Sequence, residues 1–246
     1  MARIWMSGFE AGSMSVFSTV GGTVNTTWCV SSAQARTGNY ALYFGSTGGA
    51  ATINIPSSPT ELYMRMGIRP TGGEGGGGAM ATYQPFMRVM GASGAHLTFG
   101  RHRDSGQLMV YGGTTGPVLA ASTTVMDLNA WLCLEIHMVI HATLGVLQVR
   151  FDGQMDIDLV GTEESPINTM GGTGAISFLS FSSITTSFIP CRMYGYLDDI
   201  AINDTTGEIN NSWPGRGGIY PMIPSGAGTL TQFTPDSGDN HARVSD

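Results

Sequence analysis

Asp156 and Asp158 stand two apart in the run Met155-Asp156-Ile157-Asp158-Leu159, so on an extended strand their carboxyl groups share one face. Paired carboxylates are the raw material of glycoside cleavage. A retaining glycosidase needs two carboxyl groups about 5–5.5 Å apart, one of them with a raised pKa. Here the pair sits on a face expected to point outward beside a hairpin, and the expected role is to solubilise that face. The histidines are the next candidates. Glu135, His137 and His141 fall on one face of a strand, and His at i and i+2 can chelate zinc, but i to i+4 along a strand spans about 13 Å. His137 and His141 therefore cannot share an ion whose nitrogen ligands lie at about 2.0–2.1 Å, and a surface or interface role is expected for them. Hard oxygen ligands cluster once, at Asp198, Asp199, Asn203 and Asp204. No cofactor is expected, and calcium at Asp198, Asn203 and Asp204 is the one ion that this chemistry would suit. Asp198 and Asp199 alternate on a strand, so only one of them is expected to face such a site. Sugar stacking needs exposed rings. Trp28, Tyr83 and Tyr111 are the candidate carbohydrate-binding residues, with Trp131 and Tyr220 as further aromatics, although rings in a sandwich more often serve the core.

The elements that must hold these groups are strands. Leu132, Leu134, Ile136, Met138 and Ile140 alternate with Cys133, Glu135, His137, Val139 and His141. After a break at Ala142 to Gly145, a second strand from Val146 to Phe151 reaches Asp152-Gly153, a dipeptide suited to the positive backbone angles of a tight hairpin. Met155, Ile157 and Leu159 return as a third. Further strands are expected at 4–9, 16–17, 24–30, 40–44, 51–55, 61–68, 80–89, 96–101, 107–111, 176–181 and 191–196, with 195–204 closing the sandwich. Thr114 to Thr124 is a loop or weak edge strand. The glycine-rich run from Thr71 to Ala79 is expected as a surface loop, since it lacks the Gly-Lys-Ser/Thr ending of a phosphate-binding loop and no helix follows.

Composition supports an all-β antiparallel sandwich. Thirty-six glycines and eleven prolines in 246 residues supply turns, and no run keeps helical periodicity. The net charge of −7 and the absence of lysine speak against a nucleic-acid role, despite the local cluster Arg101-His102-Arg103. Cys29, Cys133 and Cys191 cannot all pair within the chain and are expected as reduced core thiols. The N-terminus shows no secretion signal, and no window has the roughly 20 apolar residues that span a bilayer, so a protein made in the cytoplasm, without membrane insertion, is expected. From Thr205 onward the alternation stops. Residues 205–246 are polar and rich in Gly and Pro, and are expected as an extended arm beyond a jelly roll at 1–204, lying along its own sandwich or along a neighbour.

Five pieces in order resemble the concanavalin A-like, laminin-G-like jelly rolls over Ile4 to Asp204: Gly8-Phe9-Glu10, Tyr40-Ala41-Leu42-Tyr43-Phe44, Trp131-Leu132-x-Leu134-Glu135-Ile136, Phe151-Asp152-Gly153 and Tyr196-Leu197-Asp198-Asp199-Ile200. Such domains often bind calcium at loop edges. The tail, with Asp204-Thr205-Thr206-Gly207, Asn210-Asn211-Ser212-Trp213 and Thr231-Gln232-Phe233-Thr234-Pro235, is similar to the C-terminal part of structural proteins of tailed bacteriophages. The resemblance implies a non-enzymatic virion component, a capsid decoration or a tail or fibre-associated protein, that forms a homo-oligomer or contacts other virion proteins. Trp213, Tyr220 and Phe233 would anchor its assembly arm. A lectin-like module for host glycans is the alternative. Jelly-roll glucanases carry Glu-x-Asp-x-Glu or Glu-x-Asp-x-x-Glu on one strand, and here Val160 and Gly161 stand where the next acid belongs, so an enzyme is not expected.

Overall fold

The computed structural model describes residues 3–21, 30–44, 50–74, 82–182 and 192–220. Fifteen strands run through them: β1 (Arg3–Ser7), β2 (Thr19–Gly21), β3 (Val30–Ser31), β4 (Ala41–Phe44), β5 (Ala50–Asn54), β6 (Glu61–Glu74), β7 (Tyr83–Met90), β8 (Ala95–His102), β9 (Gln107–Gly112), β10 (Val118–Val125), β11 (Leu132–Val139), β12 (Val146–Phe151), β13 (Gln154–Val160), β14 (Phe178–Ser182) and β15 (Arg192–Asn203). A single 3-10 turn at Met14–Val16 is the helical content of these residues. The larger sheet has the order β13-β12-β11-β6-β15-β4-β3, with β1 also beside β15; the smaller has the order β10-β9-β8-β7-β14-β5-β2. All named pairings are antiparallel. The all-β sandwich expected from the alternation is what forms.

The core lies between the sheets and is built by every second residue of each strand. Met64, Met66, Leu134, Ile136, Met138 and Val149 from the larger sheet meet Met87, Val89, Leu97, Phe99, Leu179 and Phe181 from the smaller, all of them buried. Each such side chain contributes roughly 1.5–3 kcal/mol by leaving water. The same alternation fixes which residues must face outward.

Three expectations change. Val16 belongs to the 3-10 turn, not to a strand. The stretches expected as two closing strands are one, β15, bent by irregular register between Tyr194 and Gly195 and between Asp198 and Ala201. Thr71 to Glu74, expected as part of a loop, continues β6, because Arg192, Met193 and Tyr194 pair with Glu74, Gly73 and Gly72. A ladder uses backbone groups, so glycines can extend it when a partner strand is present. The rest of the glycine run lies outside the described residues, as do Trp28, Cys29, Cys191 and Phe233.

Asp156 is more than a solubilising residue. It lies on β13, the last strand of the larger sheet, and accepts from Thr123 N at 2.7 Å, Thr123 Oγ1 at 2.9 Å, Thr124 N at 2.7 Å and Thr124 Oγ1 at 2.5 Å, all on β10, the last strand of the smaller. One carboxylate thus sews the two sheets together along an open edge. Burial works against its charge, but the four hydrogen bonds outweigh that and hold Asp156 below the ordinary carboxylate value. Asp158 instead accepts from Gln148 Nε2 at 2.7 Å, within its own sheet. Asp156→Ala should cost about 1–2 kcal/mol, since the group is only partly shielded from water. For a chain of this size that lowers Tm by roughly 2–8 °C, and a melting curve at neutral pH that does not move contradicts the suture.

Candidate functional site

The two outer faces of the sandwich differ in what covers them. On the larger sheet Tyr63, Arg65, Glu135, His137 and Arg150 alternate with core residues and so point outward, yet Arg65, Glu135 and His137 are buried. The C-terminal segment lies over them. Glu135 Oε1 accepts from Gly215 N at 2.9 Å, Arg65 Nη1 donates to Gly215 O at 3.0 Å, and Arg36 Nη1 donates to Gly217 O at 2.9 Å. Trp213 stands edge-on to Tyr63 and His137, whose rings stack at 4.0 Å, and the Arg150 guanidinium carbon lies 3.9 Å from the Trp213 ring centre. Of the two alternatives for the arm, its own sandwich or a neighbour, residues 212–219 take the first.

A break in β15 anchors this segment. Upstream of Asp198, β15 pairs with β4 through Leu197; from Ile200 onward the same edge pairs with β1. Asp198 and Asp199 fill the gap between the two partner strands. Asp198 Oδ2 accepts from Arg36 N at 2.8 Å and Thr37 N at 3.2 Å, while its Oδ1 accepts from Asp199 N at 2.7 Å. Asp199 pairs with Arg36 Nη1 at 2.7 Å, accepts from Thr37 Oγ1 at 2.6 Å, and accepts from Ile219 N at 2.6 Å. The expectation that these two carboxylates part to opposite faces is therefore corrected. With φ at +50°, Asp199 leaves the strand path, and both side chains reach the same loop. Gly67 makes room for this, since a Cβ there would come within 2.5 Å of Arg36 Cδ.

Of the other expected calcium residues, Asn203 accepts from Arg3 Nε and donates from Nδ2 to Ser212 O at 2.7 Å. Asp204 Oδ1 accepts from Thr206 N at 3.0 Å and Thr206 Oγ1 at 2.7 Å. Each of the three has protein donors on its oxygens, and no group of three or more His, Cys, Asp or Glu gathers among the described residues. His137 and His141 do separate work. His137 Nδ1 lies 2.8 Å from Gln148 Oε1 and its Nε2 lies 2.8 Å from Glu61 Oε1, whereas His141 Nδ1 accepts from Thr143 N and Leu144 N to shape the turn before β12. Cys133 is free and buried, on the outer side beside Glu135 rather than among the core residues between the sheets. Tyr220 is 65% exposed.

The outer face of the smaller sheet is not the one that residues 212–219 cross, although its centre is buried: His96 and Thr98 are fully buried and Ser180 nearly so. Thr19, Thr52, Ser180, Arg88, Thr98, Tyr111 and Val118 are successive register partners across all seven strands, and their neighbours along each strand face the core. The row is about 29 Å long at about 4.8 Å between strands. Thr98 and Ser180 are buried, Arg88, Thr52 and Tyr111 are half-buried, and Thr19 and Val118 are exposed. Tyr83 braces the row. Its hydroxyl donates to Thr98 O at 3.0 Å, and its ring, 4.2 Å from that of Tyr111, crosses β8 over Gly100, where a Cβ would come within 2.4 Å of Tyr83 Cε2. Two of the three expected carbohydrate-binding aromatics thus meet on one face, Tyr111 presented and Tyr83, at 1% exposure, supporting it. Burial raises both phenols above the ordinary tyrosine value, so both keep their protons at neutral pH.

Arg88 and His96 are absent from the sequence-based candidates. Arg88 makes no hydrogen bond or ion pair among the described residues, and its Nε is buried without a partner. The signal was one cation between Met87 and Val89, in a run whose alternation sends it outward. His96, fully buried two residues from Thr98, accepts on Nδ1 from Gly172 N at 3.3 Å, and burial lowers its pKa.

No protein-family model matches the chain, and no curated protein matches it. Solved structures do. The binding domain of Paraclostridial Mosquitocidal Protein 1 aligns with TM-score 0.54 and 12% identity over 82% of this chain and 48% of that one. The carbohydrate esterase vb_24B_21 of the Shiga toxin-encoding bacteriophage phi24B aligns with TM-score 0.51 and 18% identity, over 82% and 97%. Alginate lyase Aly36B aligns with TM-score 0.49 and 13% identity, over 83% and 98%. At these identities the likeness is one of fold. The fold is consistent with a concanavalin A-like jelly roll. That corrects the expectation that the chain is not an enzyme. A carbohydrate esterase is built on this fold, so the acids missing from one strand exclude a single arrangement of carboxylates and not carbohydrate chemistry at large.

The carboxyl pair at the break makes a pH prediction. Burial, and then the charge of Asp199, push Asp198 up to about 7 from 3.8. Between those values the native state holds a proton that the unfolded chain has lost, so this group's contribution to stability falls as pH rises from about 4 to about 7. Denaturant unfolding across that range should show a smaller decline for Asp198→Asn than for the parent chain. Parallel curves contradict the assignment.

Proposed function

We propose that this chain recognises carbohydrate, and that the glycan lies along the open face of the smaller sheet. One observation carries the reading: the outer face that residues 212–219 do not cross carries, on one cross-strand row, the accessible hydroxyls of Thr19 and Thr52, one half-buried tyrosine and one half-buried cation, Tyr111 and Arg88. Hydroxyl side chains exchange hydrogen bonds with sugar hydroxyls, and a ring held flat offers an apolar surface to the C–H side of a pyranose. The likeness in fold to a phage carbohydrate esterase supports the substrate class.

The setting we propose is a tailed-phage virion, where such a face would meet glycans of the host surface. This rests on the order of the tail motifs and on the phage source of that esterase. Because 212–219 lie on their own sandwich, assembly contacts with other virion proteins or with further copies fall to exposed Tyr220 and the residues after it, Phe233 among them.

The intact chain on an array of host-surface glycans should bind a subset, and Tyr111→Ala should weaken that binding at least tenfold, about 1.4 kcal/mol, while Tm shifts little. Equal binding by Tyr111→Ala contradicts the placement. No glycan bound by the parent chain contradicts the reading. Assaying the bound glycans for released fragments or acyl groups tests in the same samples whether recognition is accompanied by turnover.

A further inference from the structure

Two arginines project outward from the strands at the middle of the two sheets, and their surroundings are opposite. Arg65 on β6 donates from Nε to Asp199 O at 3.1 Å and from Nη1 to Gly215 O at 3.0 Å; burial disfavours its charge, but the charges of Asp199 and Glu135 offset part of that. Arg88 on β7 has none of this. Its register partners are Ser180 and Thr98, the ring system beside it is Tyr83 and Tyr111, and no carboxylate among the described residues faces it. Burial disfavours its charged form, with the Tyr83 phenol as a partial offset. An arginine stays charged under all ordinary conditions, so a half-buried guanidinium with no counter-charge is a partial cost that an anion pairing with its accessible Nη groups would lower.

We infer that the open face selects sugars bearing an anionic group, and that the Arg88 guanidinium reads that group. This rests on the carbohydrate reading above and narrows it. The Arg88 Nε is buried, so the two Nη groups are the donors that a ligand can reach, and together they form a fork of N–H donors that matches the two oxygens of a carboxylate or two oxygens of a sulfate. Tyr111, one strand beyond Thr98, would lie under the same or the adjacent ring, while the more accessible Thr52 and Thr19 would take hydroxyls on the other side. The net charge of −7 makes this local cation selective instead of generally attractive to polyanions, because acidic ligands are repelled wherever Arg88 is not engaged.

The test uses the full chain and three matched oligosaccharides: one of uronic acids, its carboxyl-reduced neutral counterpart, and a sulfated counterpart of the neutral one, each titrated by calorimetry at 50 and 300 mM salt. The parent chain should bind at least one charged member tenfold or more tightly than the neutral one, with the margin shrinking at high salt. Which charged member wins distinguishes carboxylate from sulfate as the source. Arg88→Gln should bind charged and neutral members alike. If that variant fails to fold, Arg88→Lys keeps the charge without the fork and should lose most of the preference. A parent chain that binds the neutral member equally well, or an Arg88 variant that keeps the full preference, overturns this inference and leaves the carbohydrate reading standing. Failure of all three sugars, together with an array on which no glycan is bound, removes the carbohydrate reading itself.

Discussion

The structure hinges on two adjacent carboxylates at the point where β15 changes partners. That strand pairs with β6 along one edge, and its other edge is handed from β4 to β1, which leaves a gap of two residues that no strand fills. Asp198 and Asp199 fill it, the first with oxygens that accept backbone N–H groups, the second with a charge that meets Arg36. Loop 36–37 is drawn in by these bonds, and Ile219 is fixed by the same Asp199. Once the tail is held there, 212–219 cross the larger sheet and bury its polar outer residues. One outer face of the sandwich is thus closed by the chain's own tail, and the outer face of the smaller sheet is not crossed by those residues.

Closing a polar face and leaving one open are different solutions to the same desolvation problem. Under the tail the outward polar side chains find partners: Glu135 with Gly215, His137 between Gln148 and Glu61, Arg65 with two carbonyls, and Trp213 with the Arg150 guanidinium. Such a layer adds rigidity and little net stability, since charges brought out of water recover about what they lose. On the other sheet Thr98 and Ser180 are buried while Thr19 and Thr52 reach water, Tyr83 is braced and neutral, and Arg88 is left without a counter-charge among the described residues. A prepared and incompletely satisfied surface is what a ligand completes, and a fully satisfied one has nothing left to offer.

Much of this was legible in the sequence, and the limits have physical causes. The meander from Trp131 to Leu159 could be read because each strand has one buried and one outward side, and period 2 survives wherever that holds. The sandwich followed from it. Tyr83 and Tyr111 were legible as residues but not as a pair, since their meeting depends on the pairing of β7 with β8 and β8 with β9, a long-range fact. Asp156 read as a solvated acid because its four donors lie 32 or 33 residues away on the opposite sheet. Alternation also misled at Asp198 and Asp199. The rule that neighbours face opposite ways fails at a bulge, and a positive φ at an aspartate leaves no mark in composition. Arg88 was the avoidable omission, a lone cation on the outward phase of an apolar strand.

The proposed ligand face belongs to the smaller sheet and not to the larger. Amide hydrogen exchange, measured on the intact chain with and without a saturating glycan, tests it most directly. Added protection should be confined to β7, β8, β9 and β14, with residues 61–65, 135–150 and 212–219 unchanged. Protection on the larger sheet, or faster exchange in 212–219 as a glycan displaces them, would contradict it.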